Sequence, residues 1–179
     1  MSMLDATRIR SLFEALNERL KEKGVRGEIG ICGGAVMCLV FQSRRATKDI
    51  DGIFQPTAEI REAARLVAGD FDLPENWLND GAKSFFHSDP PKQEVLELSN
   101  LTVWAPSATY MLAMKCVSAR FDSSDREDVE FLLRWLKIRK IEQAFEIICE
   151  YYPRKMIPAK TQFLLEEILA TDESQGKTE

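Results

Sequence analysis

Apolar residues near the start of the chain recur at helical spacing. Ile9, Leu12, Phe13, Leu16 and Leu20 share one face of a 3.6-residue period, and Gly24 is placed to stop that helix. "EIGIC" (Glu28–Cys32) then reads as a short strand, with Gly33-Gly34 as a turn and Ala35–Phe41 as a short buried helix. Gln42–Thr47 is a polar, basic loop, and "KDIDGIF" (Lys48–Phe54) predicts a second strand. Thr57 caps a helix through Ala68 that Gly69 ends. Leu73–Asp80 predicts a turn and a short helix begun at Pro74. "EVLEL" and "LTVW" flank Ser99-Asn100 and predict a hairpin.

From Pro106 onward the period is helical only. Ser107 caps a helix through about Phe121, and Ser124 to Glu127 is a capping box for a helix through about Ile138. Further helices are predicted over about Glu142–Tyr152, closed by Pro153, and over Ala159–Ala170. The pattern therefore predicts an α+β protein. A small mixed sheet with flanking helices occupies 1–105, a helical bundle packed against it occupies 106–170, and the polar tail at 171–179 is frayed.

Composition narrows the chemistry. The 179 residues are 45% hydrophobic and 30% charged, as in an ordinary globular protein, with a net charge of −5. That balance exerts no global pull toward nucleic acid or anionic lipid, so any such contact needs a local basic patch. The N-terminus lacks a signal-peptide core and no stretch has membrane-span length, so a cytoplasmic protein is expected. Cys32, Cys38, Cys116 and Cys149 show no zinc spacing, and three of them sit in apolar runs as reduced core thiols. His87 is the single histidine, which disfavours hydrolases that need a histidine base and reads as a loop residue. Trp77, Trp104 and Trp135 read as core. Catalysis, if present, rests on carboxylates, lysines and oxygen-bound metal.

Asp49 and Asp51 are two apart on the predicted strand, so both point to one face while Ile50 points to the other. Adjacent carboxylates repel, and a divalent cation relieves that conflict. A solvated strand end, with Asp51-Gly52 opening a turn, is the plainer alternative. Gly33-Gly34 adds to the first reading, because glycines admit a phosphate to the backbone at a helix start. Arg44, Arg45 and Lys48 flank this place, either as phosphate or RNA contacts or as a solvated loop. "LKIRK" (Leu136–Lys140) reads as a solvated helix end.

Lys115 stands inside an apolar helix, "YMLAMKCVSARF", where it either snorkels at an edge or meets an anion. Arg120 lies five residues on, about 140° round the helix, and need not share that face. In the next helix Asp125 suits the first turn, whereas Asp128 stands one turn above Leu132 and Trp135 and points inward, with Lys115 or a metal as partner. Glu94 and Glu97, three apart on a strand, face opposite ways, so at most one serves as a third metal carboxylate.

Gly-Gly, a short helix, "RRATKDID" and later "MLAMK" together resemble the nucleotidyltransferase superfamily with the polymerase-beta-like palm. More narrowly they are similar to the toxin-type AbiEii (type IV toxin) group and its uncharacterised relatives, over roughly Gly30 to Leu136. That group often has serine where this chain has Gly34. "PENWLND" (Pro74–Asp80) resembles a segment of the uncharacterised relatives. The resemblance implies a palm-type sheet and transfer of a nucleoside monophosphate from a nucleoside triphosphate. Mg²⁺ or Mn²⁺ would be held by Asp49 and Asp51, and the triphosphate by Gly33, Gly34, Arg45 and Lys48. Lys115 would face the phosphates, with Asp125 or Asp128, of which Asp128 is favoured, as the matching acid. The implied acceptor is an RNA, such as a tRNA 3′ end, or a protein hydroxyl, in a toxin with a cognate antitoxin. A palm-fold binding protein without catalysis and an adenylylating antitoxin are the alternatives.

Overall fold

The computed structural model describes residues 3–119 and 124–175. Arg120 lies outside the described residues. The chain forms two compact units. One comprises Met1–Ser84 and Lys92–Pro106, and the other comprises Phe85–Pro91 and Ser107–Glu179. Residues 85–91 thus go with the helices, although the sequence pattern groups them with the strands.

The first unit opens with β1 (Leu4–Asp5) and α1 (Ala6–Glu22). Asp5 caps α1 by accepting from the Arg8 N–H at 2.8 Å, and the predicted face of Ile9, Leu12, Phe13, Leu16 and Leu20 is fully buried. β2 (Gly27–Cys32) and α2 (Gly33–Leu39) follow. The two glycines are the first residues of α2, not a turn ahead of it. β3 (Ala46–Thr47) pairs with β1, so the end of the predicted basic loop is held as a short strand. β4 spans Ile50–Gln55 and α3 spans Thr57–Asp70. Pro56 is the N-cap residue of α3, the Thr57 hydroxyl donates back to Phe54 O, and Gly69 lies inside the last turn.

The predicted helix at Pro74 is not formed. Trp77 is 1% exposed, its indole donates to Ala64 O at 2.9 Å, and its carbonyl accepts from the Ile50 N–H. Anchored in this way, the segment enters the sheet as β5 (Leu78–Asn79), parallel to β4. A short 3₁₀ turn covers Gly81–Phe85. β6 (Lys92–Glu97) and β7 (Leu101–Pro106) make the expected antiparallel hairpin, with a bulge between Glu94 and Leu96. The sheet order is β5-β4-β2-β7-β6, with β2 antiparallel to β4 and parallel to β7. α1 packs on α3, and Ile29, Ile31, Ile60 and Val67 fill the core of this unit.

The second unit is helical: α4 (Ala108–Ser118), α5 (Asp125–Trp135), α6 (Ile141–Tyr151) and α7 (Ala159–Gln175). Ser107 caps α4 as expected, accepting from the Tyr110 N–H. Ser124 is the N-cap residue of α5 but makes no side-chain bond into its first turn, unlike the predicted capping box. α5 stops at Trp135 because Lys137 takes a φ of +56°. α4 packs against α5, α6 and α7. Residues 85–91 belong here because Tyr110 donates to Ser88 O at 3.0 Å, Tyr152 donates to Phe85 O, and His87 stacks on Tyr152. Among the described residues, no helix is long and apolar enough to cross a membrane.

Candidate active site

Asp51 lies inside β4, opposite Cys32 of β2 and beside Asn79 of β5. Asp49 lies in a bend one residue before the strand, a correction to its predicted place within it. The two carboxylates nevertheless come to one locus. The Asn79 Nδ2 donates to Asp49 Oδ2 at 3.4 Å, and a Cβ added at Gly81 would stand 2.9 Å from Asn79 Oδ1 and 3.9 Å from Asp51 Oδ1. Asn79 Oδ1 accepts from the Gly81 N–H at 2.9 Å, which turns the Nδ2 end of the amide toward Asp49. Asn79 is therefore a positioning residue for Asp49. Sequence reasoning missed it, and the signal available was the Asn-Asp-Gly run, which favours a side-chain-to-backbone turn.

The Gly33-Gly34 step reaches the same locus. Gly33 has φ +60°, a left-handed conformation that favours glycine, and a Cβ there would stand 3.3 Å from Asp51 Oδ2. A Cβ at Gly34 would stand 2.4 Å from Thr47 Oγ1 and 3.0 Å from Thr47 Cβ. Thr47 is buried and held in the β1–β3 pairing, so a serine at 34 does not fit unless Thr47 moves. The hydroxyl beside Gly34 is thus that of Thr47. Arg44 is half-buried, with Nη1 3.7 Å from the same Gly34 position. Arg45 and Lys48, singled out from the sequence, are exposed, and the arginine brought to the Gly-Gly step is Arg44.

The donors suit a hard cation. Two carboxylates supply oxygen ligands of the kind Mg²⁺ and Mn²⁺ take, in a number that leaves coordination positions for water and phosphate. Among the described residues no group of three His, Cys, Asp or Glu side chains converges. Glu94 and Glu97 do not join Asp49 and Asp51. They sit on β6, three strands from β4, or about 14 Å at ordinary strand spacing. Glu97 pairs instead with Arg26 and accepts from the Thr102 hydroxyl.

The helical unit brings together the other two candidates. Lys115 is 7% exposed and Asp128 2% exposed, and Lys115 Nζ lies 2.8 Å from Asp128 Oδ2. Asp125, which the sequence placed in the first turn and ranked behind Asp128, adds a second carboxylate at 2.7 Å. The inward position of Asp128 agrees with its place above Leu132. Trp135, grouped with the core from the same spacing, is 58% exposed and stacks on Phe131. Trp77 and Trp104 are buried as expected. Cys32, Cys38 and Cys116 are buried thiols outside any disulfide, and burial pushes the Cys116 thiol up to about 12, whereas Cys149 is exposed.

Fold and site together define an α+β protein with a carboxylate pair beside a Gly-Gly step on a mixed sheet. No protein-family model matches the chain, and neither a curated protein nor a solved structure matches it.

Proposed function

We propose that this protein is a metal-dependent nucleotidyltransferase, which moves a nucleoside monophosphate from a nucleoside triphosphate to a hydroxyl of RNA or protein. The observation that carries the reading is the convergence of Asp51 on Gly33, 3.3 Å from where a Cβ would stand, with Asp49 steered to the same locus by Asn79. One place thus offers backbone that a phosphate can approach and a carboxylate pair that suits Mg²⁺.

Asp49 and Asp51 would hold the ion. When bound, it would neutralise the triphosphate and make its α-phosphorus more electrophilic. The phosphate chain would approach the backbone at Gly33, and Arg44 supplies a cation beside Gly34, whose side-chain position Thr47 fills. Asn79 keeps Asp49 in position. Lys115 takes a different role from the one the resemblance implies. Two carboxylates already compensate it within its own unit, so we assign it to holding α4 against α5. A tRNA 3′ end remains the proposed RNA acceptor, in a toxin opposed by an antitoxin. The compensated Lys115 also favours a second reading, a palm-like binding protein without catalysis.

Incubation with Mg²⁺, each of α-labelled ATP, CTP, GTP and UTP, and total RNA or lysate separates the two readings. Transfer of label to a macromolecule is expected, with none from Asp49→Ala/Asp51→Ala. Asn79→Ala is expected to weaken metal affinity by about 10- to 100-fold, the usual cost of removing a residue that orients a ligand. Absence of labelling with every nucleotide, and equal nucleotide binding by wild type and the double variant, would sink the enzyme reading. Strong expression is expected to arrest growth only with both acids intact.

A further inference from the structure

The helical unit carries a groove of about 810 Å³ between α6, α7 and the turn that joins them. α6 presents Ile141, Glu142, Phe145, Glu146 and Cys149 to it, residues spaced along one helical face. Ile157 and Pro158 of the connecting turn add apolar surface, and α7 contributes Gln162 and Glu166. Its composition is amphipathic, with an apolar floor and three glutamates set against one arginine, Arg154.

α6 is more apolar than its burial requires. Its apolar side chains share one broad face of IEQAFEIICEY, opposite Glu142, Gln143, Glu146 and Glu150, and of them only Ala144 and Ile148 are buried while Ile141, Phe145 and Ile147 are half-buried. Two large apolar side chains next to lining residues in sequence are exposed, Met156 (38%) beside Ile157 and Phe163 (65%) beside Gln162, although neither lines the groove itself. The half-buried Ile141, Phe145 and Ile157 form the part of the groove that a partner's apolar side chains would cover.

The charge of the rim says what kind of partner fits. Glu142 and Glu146 stand one turn apart on α6, and Glu166 stands on α7. An incoming segment must therefore bring an apolar face and basic flanks. We propose that this groove receives a basic amphipathic helix of a partner protein, with its apolar side chains on Phe145, Ile141 and Ile157 and its Lys or Arg side chains over the glutamates. This is helix-in-groove recognition with charge selecting the partner. It does not rest on nucleotidyl transfer, and it stands or falls separately.

Cys149 makes the groove readable. It is exposed and lines the groove, while Cys32, Cys38 and Cys116 are buried. An aromatic disulfide reagent should therefore titrate one thiol in the native protein. The probe is a synthetic helix with Leu at i, i+3, i+4 and i+7 and Lys elsewhere, compared with the same peptide carrying Glu in place of Lys. The Lys peptide is expected to slow the Cys149 reaction at least about tenfold at saturation, and the Glu peptide to leave it unchanged. Glu142→Lys/Glu146→Lys, two exposed changes, should weaken the Lys peptide by about tenfold, from two lost exposed ion pairs. The same reversal at Glu59 and Glu62 on α3 should change nothing. The proposal is overturned if both peptides protect equally, if neither protects, or if the α6 reversal binds the Lys peptide undiminished. It is also overturned if Cys149 becomes protected on raising the protein concentration alone, since a second copy would then cover the groove.

Discussion

Lys115 Nζ lies 2.7 Å from Asp125 and 2.8 Å from Asp128, on side chains that are 9%, 20% and 2% exposed. Removing one partner of a buried ion pair leaves charge without compensation and costs far more than an exposed pair contributes. Lys115→Met is therefore expected to lower stability by about 3 kcal/mol, read as a fall in the urea midpoint. Asp128→Asn should cost less, because its amide oxygen still accepts from Lys115 while Asp125 keeps its charge. A cost for Lys115→Met within the range of an exposed substitution would remove the structural role. The inward turn of Asp128 was legible from Leu132 one turn on, whereas the sequence left Lys115 open between a helix edge and an anion and only packing decided it. The part played by Asp125 was not legible, since an acid in a helix's first turn already has a sufficient local reason. Asn79 was hidden in the same way, by a local turn signal that says nothing of the strand beside it.

At the level of elements, those defined by their own period were legible and those defined by a neighbour were not. α1 and the β6–β7 hairpin follow from local spacing and turns. β5 exists because Trp77 is anchored on α3 and its carbonyl pairs with Ile50, contacts no window of sequence contains. β6, at the sheet edge, is tied to its neighbours by side chains: Lys92 pairs with Glu28 at 3.0 Å and lies over the Trp104 ring, whose Nε1 donates to the same Glu28 at 2.7 Å. Lys92, and then Trp104, hold the Glu28 carboxyl below its usual value. A depressed carboxyl stabilises the fold fully above its unfolded pKa, about 4.5, and loses that contribution as pH falls through the folded value. Wild type should thus exceed Lys92→Gln in Tm at pH 6, with the gap closing below pH 4. The effect is small because both groups are largely solvated. A gap that widened on acidification would contradict this pairing.

For the molecule as a whole, the division of the chain carries the sharpest consequence. Residues 85–91 interrupt the strand-bearing half in sequence but join the helices, through Tyr110 to Ser88, Tyr152 to Phe85, and the stacking of His87 on Tyr152. A fragment of residues 85–179 should accordingly unfold more cooperatively, and at higher temperature, than one of residues 107–179, as followed by circular dichroism. Equal melting of the two would show that the segment contributes nothing to the helical unit.

The sequence by itself determined where most helices lie and that an α+β chain results, and it singled out Asp49, Asp51, Gly33 and Gly34 as candidates. These are properties of spacing and side-chain type within short windows. Only the tertiary structure decided that β5 completes the sheet beside Asp51, that Asn79 orients Asp49 and that Thr47 excludes a larger residue at Gly34. It also decided that two acids, not one, hold Lys115. Each of these depends on groups that are brought together by packing, and the local pattern around any one of them has no term for the other.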